Sequence, residues 1–169
     1  MADRNQIAAE INAIPTHDKC DIVRRRKLHT LHQITGRNTI IYASDFLSPE
    51  KVRIVGGEVG LDLTDKEGFV EVTHALQGNT LDVILYSPGG FAEAAESIVE
   101  LLRAKFTDIR FIIPSVAKSA ATMLAMSGNQ LVIDERSELG PTDPQMQVNR
   151  DGHIIRSPAH AIKEQFKIA

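Results

Sequence analysis

Between residues 39 and 133 the chain alternates short aliphatic runs with segments in which apolar residues recur at helical spacing. Four of these runs have the length, the β-branched content and the flanking turn residues of buried strands: 39–43, 81–86, 109–113 and 130–133. Strands joined through helices form parallel sheets with right-handed crossovers, so their C-terminal ends share one edge. The alternation therefore predicts an α/β fold, with any chemistry at that edge.

Three helices are predicted between these strands. Their ranges are 66–76, 91–105 and 119–127. Thr64 or Asp65 is expected to cap the first of them, and Gly128 is expected to end the third. After the last strand, residues 146–155 alternate as in a hairpin, and Pro158 is placed to begin a final helix.

The first 36 residues have only helical periodicity. Two helices are predicted there, 3–14 and 18–33, the first stopped by Pro15 and the second closed by Gly36. The chain is accordingly divided into an N-terminal helical segment, residues 1–36, and a core, residues 37–169. Residues 164–169 have helical character without a stop signal, so we expect the natural chain to continue beyond Ala169.

The charge balance limits the possible partners. The chain has 22 acidic and 19 basic residues, a net charge of −3, 5% aromatic residues and no tryptophan. A broad phosphate-binding face and a base-stacking surface are not expected, which argues against nucleic acid as a partner. The basic run 24–27 is interpreted as a solvated helix face, with a contact to an acidic partner or another subunit as the alternative.

Neither secretion nor metal binding has a sequence signal. Cys20 is the single cysteine, so the chain cannot form an internal disulfide or a multi-thiolate metal site. The N-terminus lacks the apolar core of a signal peptide, and no apolar run approaches the roughly 20 residues of a spanning helix. His29 and His32 share a basic helix without acidic ligands nearby. We therefore expect a cytoplasmic protein with no membrane span, no metal and no cofactor.

Two strand-to-helix junctions are the candidate sites of chemistry. The first, residues 86–90, ends in consecutive glycines, Gly89 and Gly90, which let backbone amides turn outward at a helix N-terminus. Such amides suit a phosphate or the oxyanion of an acyl-transfer intermediate. The spacing matches neither of the common nucleotide-binding glycine motifs, and a simple turn is the alternative interpretation.

The second junction places Ser119 at the first turn of a helix among small residues. Small neighbours let a substrate carbonyl approach the hydroxyl, and the helix start supplies a backbone N–H. The alternative is that Ser119 only caps the helix, a role for which Ser115 competes. Because parallel strands would carry both junctions to one sheet edge, the pair together forms half of an acyl-transfer site.

Three segments in this order resemble the serine dehydrogenase proteinase (SDH) family: 85–95, 113–122 and 139–145. That family has the Clp-protease/crotonase fold and is related to signal peptide peptidase A and the Clp protease catalytic subunit. The resemblance spans about residues 24–163. It makes residues 37–169 a catalytic core that is expected to be C-terminally truncated.

The resemblance also implies roles for individual residues. Ser119 is the nucleophile, and the N–H groups of Gly90 and Ala120 form the oxyanion hole. Gly89 and Lys118 are expected to line the site. Lys118 directly precedes the serine, and since neighbouring side chains on a helix diverge by about 100°, it is a poor base for Ser119.

The general base is less clearly indicated. Clp-type proteases have a histidine at about the position of residues 140–144, and none stands there in this chain. Signal peptide peptidase A-like enzymes use a lysine, so Lys163 on the predicted last helix is the leading candidate. His153 and His160 are interpreted as surface or hairpin residues. Asp143 either orients the base or closes its loop through an Asx turn.

The two junctions and the resemblance together predict a serine endopeptidase that acts on peptide or protein substrates, and the resemblance implies that it is a homo-oligomer. Two other functions stay open. An acyl-CoA enzyme of the crotonase type would use the same backbone donors without a serine nucleophile. The second is an inactive scaffold for oligomerisation, and the feature that supports it is the absence of a histidine at residues 140–144.

Overall fold

The computed structural model describes residues 3–54, 59–142, 145–150 and 153–158, the last two ranges through their backbone alone. The strands in this part are β1 (Asn38–Ala43), β2 (Thr80–Tyr86), β3 (Asp108–Ile113), β4 (Val116–Ala117), β5 (Gln130–Ile133), β6 (Glu138–Leu139), β7 (Gln145–Arg150) and β8 (His153–Pro158). The helices are α1 (Arg4–Asn12), α2 (Lys19–Thr35), α3 (Pro49–Ile54), α4 (Leu63–His74), α5 (Ala92–Lys105) and α6 (Ala120–Met126).

A four-stranded parallel sheet in the order β1-β2-β3-β5 is the centre of the fold. Its register places Ile40, Val83 and Phe111 side by side on one face. All three are buried, at 6%, 0% and 0% exposure. The α/β class, the parallel sheet and all four predicted strands are confirmed, and the strand ends fall within one residue of the prediction.

Helices α4, α5 and α6 cover this face of the sheet. Their apolar positions recur at helical spacing, so each helix presents one buried stripe to the strands. The stripe of α5 consists of Ala94, Ala95, Ile98 and Leu102, all at most 2% exposed. Phe69 of α4 and Leu124 of α6 join the same cluster, which is the hydrophobic core of the described chain.

The N-terminal helices agree with the predicted ones. Helix α1 is capped by Asp3, and α2 ends at Gly36 in the left-handed conformation, with φ 67°. Three of the four side chains in the basic run 24–27 on α2 form ion pairs. Arg24 and Arg25 contact Asp21, and Lys27 contacts Glu10. The interpretation as a solvated face fits these exposed pairs. The division at residue 36 stays a prediction.

Helix α4 begins differently from the prediction. Its cap is Asp62 and neither Thr64 nor Asp65, because the Asp62 carboxylate accepts hydrogen bonds from both of their N–H groups, at 2.7 and 3.2 Å. The Asp65 carboxylate accepts in turn from the Asp62 N–H, at 2.9 Å. This reciprocal capping box sets the start of the helix at Leu63.

Short elements account for the other differences. Helix α3 has six residues, and strands β4 and β6 have two each, which is too short for periodicity to reveal. The predicted hairpin is confirmed as the antiparallel pair β7–β8. The prediction that Pro158 begins the final helix is wrong, because Pro158 is the last residue of β8 and pairs with Gln145. The rest of that predicted helix lies outside the described residues. Among the described helices, none has the length and apolarity needed to cross a bilayer.

Charged side chains close the N-terminal edge of the sheet. The carboxylate of Asp82 in β2 is fully buried and accepts from Arg37 Nε at 2.6 Å and from Arg110 Nη2 at 2.5 Å. Arg37 Nη1 also donates to the carboxylate of Asp108 at 2.6 Å, and this bond holds the pKa of Asp108 below its ordinary value. The residue that precedes β1 and the N-terminal parts of β2 and β3 are thereby joined in one ion-pair network.

Candidate active site at the C-terminal sheet edge

The two predicted junctions meet at the opposite edge of the sheet. The Ser87 N–H donates to the Val116 carbonyl at 3.0 Å, and the Lys118 N–H donates to the Ser87 carbonyl at 3.1 Å. Strand β4 therefore runs parallel to the segment that follows β2, with Ser87 opposite Ala117. This pairing brings the turn after β2 against the turn after β4, as the sequence predicted.

Gly89 lies in direct contact with the serine junction. A Cβ added to Gly89 would stand 2.7 Å from Ser119 Cβ and 2.6 Å from the Lys118 carbonyl oxygen. Its φ of 105° is also a conformation that side chains disfavour. A glycine is therefore required here for the two turns to approach this closely.

Gly90 is held by a segment far away in the sequence. The Leu61 N–H donates to the Gly89 carbonyl at 2.6 Å, and the Leu61 carbonyl accepts from the Phe91 N–H at 2.8 Å. These bonds lie on either side of Gly90, whose own N–H donates to no described residue. Gly90 is also exposed, so an unpaired donor stands at the surface of this edge.

Ser119 has a strained backbone. Its φ of 49° and ψ of −125° make it the one non-glycine residue with positive φ in the described part of the chain. Such conformations cost about 1–3 kcal/mol and persist only where the surrounding structure imposes them. The half-buried serine is therefore held in place by its neighbours.

The hydroxyl of Ser119 is not used to cap helix α6. Ser119 occupies the N-cap position, but its side chain makes no capping bond and Oγ has no hydrogen-bond partner among residues 3–54 and 59–142. Its carbonyl instead accepts from the Thr122 and Met123 N–H groups. The first helical N–H, that of Ala120, has no acceptor in the same ranges. Among the described residues, the Ser119 hydroxyl and the N–H groups of Gly90 and Ala120 thus have no partner, and all three belong to the two turns that contact each other.

Thr122 ties the loop after β6 to the serine junction. Its buried Oγ1 donates to the Ala117 carbonyl at 2.7 Å and accepts from the Gly140 N–H at 3.1 Å. A Cβ on Gly140 would stand 2.5 Å from Lys118 Cδ, so the start of the loop packs on the lysine side chain. The chain segment that leads to Asp143 therefore begins beside the candidate nucleophile.

The Lys118 side chain has a partner of its own. Its ammonium lies 2.8 Å from the Glu138 carboxylate. This hydrogen bond from Lys118 holds the pKa of Glu138 below its ordinary value. The pair is partly exposed, with 35% of the lysine and 64% of the glutamate side chain accessible. Lys118 is thus engaged by Glu138, in keeping with the argument that it is a poor base for Ser119.

The candidate base Lys163 lies outside the described residues. Asp143 and His160 lie there too, and His153 is described only as the first backbone position of β8. Their roles stay predictions. Among the described residues, no three side chains of the His, Cys, Asp and Glu types converge as around a metal ion.

Sequence reasoning missed the parts of this edge that come from distant segments. Leu61 follows a glycine-rich stretch and precedes a helix, and nothing in its local pattern indicates that it pairs with residues 89–91. Thr122 has the pattern of an ordinary helical residue. Leu61 acts through backbone hydrogen bonds and Thr122 through its side-chain hydroxyl, and only the folded chain creates these contacts.

Comparison with known proteins identifies relatives. The family model described as "ClpP-like SDH-type serine proteinase" matches residues 50–166. Two proteins of Methanocaldococcus jannaschii, both named as uncharacterized, are 32% identical over 71% of this chain and 33% identical over 51% of it. The chain spans 43% and 27% of their lengths.

A solved structure is also similar to this chain. It is the catalytic domain of the ClpP protease from Plasmodium falciparum, with 16% identity and a TM-score of 0.36. The match covers 64% of this chain and 53% of that one.

Proposed function

The chain belongs to the family of ClpP-like SDH-type serine proteinases, and on this premise we propose that it hydrolyses peptide bonds through an acyl-enzyme on Ser119. The observation that carries the proposal is the state of the serine junction. Ser119 is held in a strained conformation with its hydroxyl free, beside unpaired N–H groups of Gly90 and Ala120. Strain and unpaired donors together are typical of catalytic sites.

The proposed reaction follows from this arrangement. Ser119 Oγ attacks the carbonyl carbon of the scissile bond while a base takes the hydroxyl proton. The carbonyl oxygen becomes an oxyanion that accepts hydrogen bonds from the Gly90 and Ala120 N–H groups. The carbon–nitrogen bond then breaks, the amine leaves with the proton, and water hydrolyses the serine ester in a second, equivalent step.

Lys163 is the base in this proposal. A lysine accepts a proton only in its neutral form, so its surroundings must favour the uncharged amine. Asp143 orients the base or closes the loop that begins at Gly140. Gly89 and Lys118 line the site, Gly89 through its contact with Ser119 and Lys118 through its position directly before it.

We also propose that the chain acts as a homo-oligomer in the cytoplasm. Strand β5 supports the first part, because it lies at the edge of the described sheet and its side chains Leu131, Val132 and Ile133, which alternate between the two faces, are 38%, 44% and 52% exposed. An apolar edge strand of this kind is a typical place for another chain to pair. Light scattering on the protein as it elutes from a size-exclusion column measures its mass and so tests the oligomeric state.

Peptide hydrolysis by matched serine variants tests the proposed activity. Ser119→Ala is expected to lower kcat/KM on fluorogenic peptides by at least roughly 1000-fold, since loss of the nucleophile removes the covalent route. Ser115→Ala is the control, because this serine stands four residues earlier and contributes only its carbonyl to a hydrogen bond, from the Glu138 N–H. It should retain wild-type activity.

Other outcomes would contradict the proposed peptidase and support one of the two other functions. Hydrolysis unaffected by Ser119→Ala would rule out the acyl-enzyme, and turnover of acyl-CoA thioesters by that variant would favour the crotonase-type chemistry. A folded wild-type protein that cleaves no peptide and no thioester would favour the scaffold.

A further inference from the structure

An open groove of about 410 Å³ lies between helices α5 and α6. Four of its lining residues are apolar, Ala92, Ala95, Val99 and Met123, and the other two are Glu93 and Glu96. Small-molecule pockets have volumes of roughly 300–1,000 Å³, so a groove of this size has room for a long side chain. Its small alanines are what keep it open, since larger residues at these positions would fill it.

The groove adjoins the candidate active site on both sides. Met123 lies on α6 one turn after Ser119, a rise of about 6 Å along the helix. On α5, Ala92 follows Gly90 by two residues. A substrate whose carbonyl oxygen lies between the Gly90 and Ala120 N–H groups therefore places its nearest side chain within reach of this groove.

Among the described residues, the groove has a negative charge that no basic side chain balances. Glu93 and Glu96 are exposed, and neither carboxylate forms an ion pair with a residue of the described ranges. No lysine, arginine or histidine is among the lining residues. An apolar floor beneath two carboxylates is complementary to lysine and arginine, whose aliphatic stems bury while their cationic ends stay near water.

We propose that this groove receives the side chain of the residue whose carbonyl carbon Ser119 attacks, and that it selects lysine or arginine there. This inference rests on the proposed peptidase function and specifies its substrate. Glu93 and Glu96 are specificity residues in this account, because they contact the substrate side chain and leave the reacting atoms untouched.

A pair of peptide substrates tests the selection. The two peptides end in a fluorogenic amide and differ only in the residue before it, lysine in one and norleucine in the other. Norleucine keeps most of the aliphatic stem and lacks the charge. The wild-type kcat/KM is expected to favour lysine by roughly three- to tenfold, the modest factor that exposed ion pairs supply. Raising the ionic strength should reduce the ratio.

The double variant Glu93→Gln/Glu96→Gln is expected to bring the ratio of the two kcat/KM values near one, mainly by slowing cleavage after lysine. Glu100→Gln is the matched control, because Glu100 is an exposed residue of the same helix that does not line the groove. It should keep the wild-type ratio.

Fluorophosphonate labelling of Ser119 in the same samples separates the two proposals. Labelled protein that cleaves both peptides equally, or whose lysine preference survives the double variant, overturns the groove assignment and leaves the peptidase intact. Protein that neither labels nor cleaves overturns both. A preference for norleucine over lysine would also overturn the selection of a cationic side chain by this groove.

Discussion

The two ends of strands β2 and β3 are built on opposite principles. At the N-terminal end the buried Asp82 carboxylate has two guanidinium partners, and its surroundings are joined by short ion pairs. At the C-terminal end the Ser119 hydroxyl and the N–H groups of Gly90 and Ala120 have no partner in the described chain, and the serine backbone is strained. Satisfied polar groups hold the sheet together, whereas free ones are available to a substrate.

This contrast indicates what each edge contributes. Removing one member of a satisfied buried network leaves an uncompensated charge, so the loss is expected in stability. Removing a member of the open edge disturbs the placement of reacting groups, so the loss is expected in activity. Gly89→Ala is therefore expected to lower activity, and Asp82→Ala to lower stability without changing the reactivity of Ser119.

Among the variants that compare the two edges, Gly89→Ala is expected to have the largest effect, and it acts at the open edge. The added Cβ would meet Ser119 Cβ at 2.7 Å and the Lys118 carbonyl oxygen at 2.6 Å, so the serine must shift. Displacing a nucleophile by about 1 Å lowers kcat by roughly 100-fold. Peptide hydrolysis at a temperature where circular dichroism shows the variant folded measures the effect.

Gly68→Ala is the control for Gly89→Ala. Gly68 lies on the exposed side of α4, where a Cβ would meet nothing within 4 Å. Alanine at such a helical position stabilises by about 0.5–1 kcal/mol, and activity should be unchanged. Equal activities of the two variants would show that close contact at Gly89 does not position Ser119.

Asp82→Ala is expected to act on stability alone. It leaves Arg37 and Arg110 without their shared carboxylate, and breaking a buried pair in this way costs about 3–5 kcal/mol. Urea denaturation measures the loss. Asp21→Ala is the control, because it removes two exposed pairs on α2 and should change the urea midpoint little.

Labelling of Ser119 completes the Asp82 test. The folded fraction of Asp82→Ala should react with a fluorophosphonate at the wild-type rate, because the network lies at the other end of the strands. A stable but unreactive Asp82→Ala protein would contradict the separation of the two edges.

Glu138→Gln is expected to have the smallest effect. It removes an exposed ion pair at the open edge, so the melting temperature should change by only about 2 °C or less. Lys118 lowers the pKa of Glu138 below its ordinary 4.5, so the pair stabilises the fold above that pH. The contribution is lost as the pH falls through the folded-state pKa.

Thermal melts at two pH values check this last prediction. The wild type should exceed Glu138→Gln slightly at pH 7, and the difference should disappear in acid and in high salt. A difference that persists at low pH would mean that Glu138 stabilises the edge through something other than its charge.

Local sequence signals were sufficient for the sheet and for the two junctions. Strand and helix periodicities specified β1, β2, β3 and β5, and consecutive glycines after a strand identified the turn at Gly89. Such features depend on neighbouring residues, which the sequence displays directly.

Features that depend on distant residues were beyond local patterns. The strain at Ser119, the contact of Leu61 with residues 89–91 and the sharing of Asp82 by two arginines arise only when separate segments meet. The prediction of the α4 cap was wrong for a related but more local reason. Three cap-forming residues stand within four positions, and the reciprocal bonds between Asp62 and Asp65 decide which of them is the cap.

The most direct test of the account is the site of covalent labelling. A fluorophosphonate reacts with an activated serine hydroxyl, and peptide mass spectrometry then locates the adduct. The account predicts one adduct, on Ser119, which is absent from Ser119→Ala and retained in Ser115→Ala. An unlabelled Ser119 in folded, oligomeric protein, or an adduct on another serine, would contradict the assignment of Ser119 as the nucleophile.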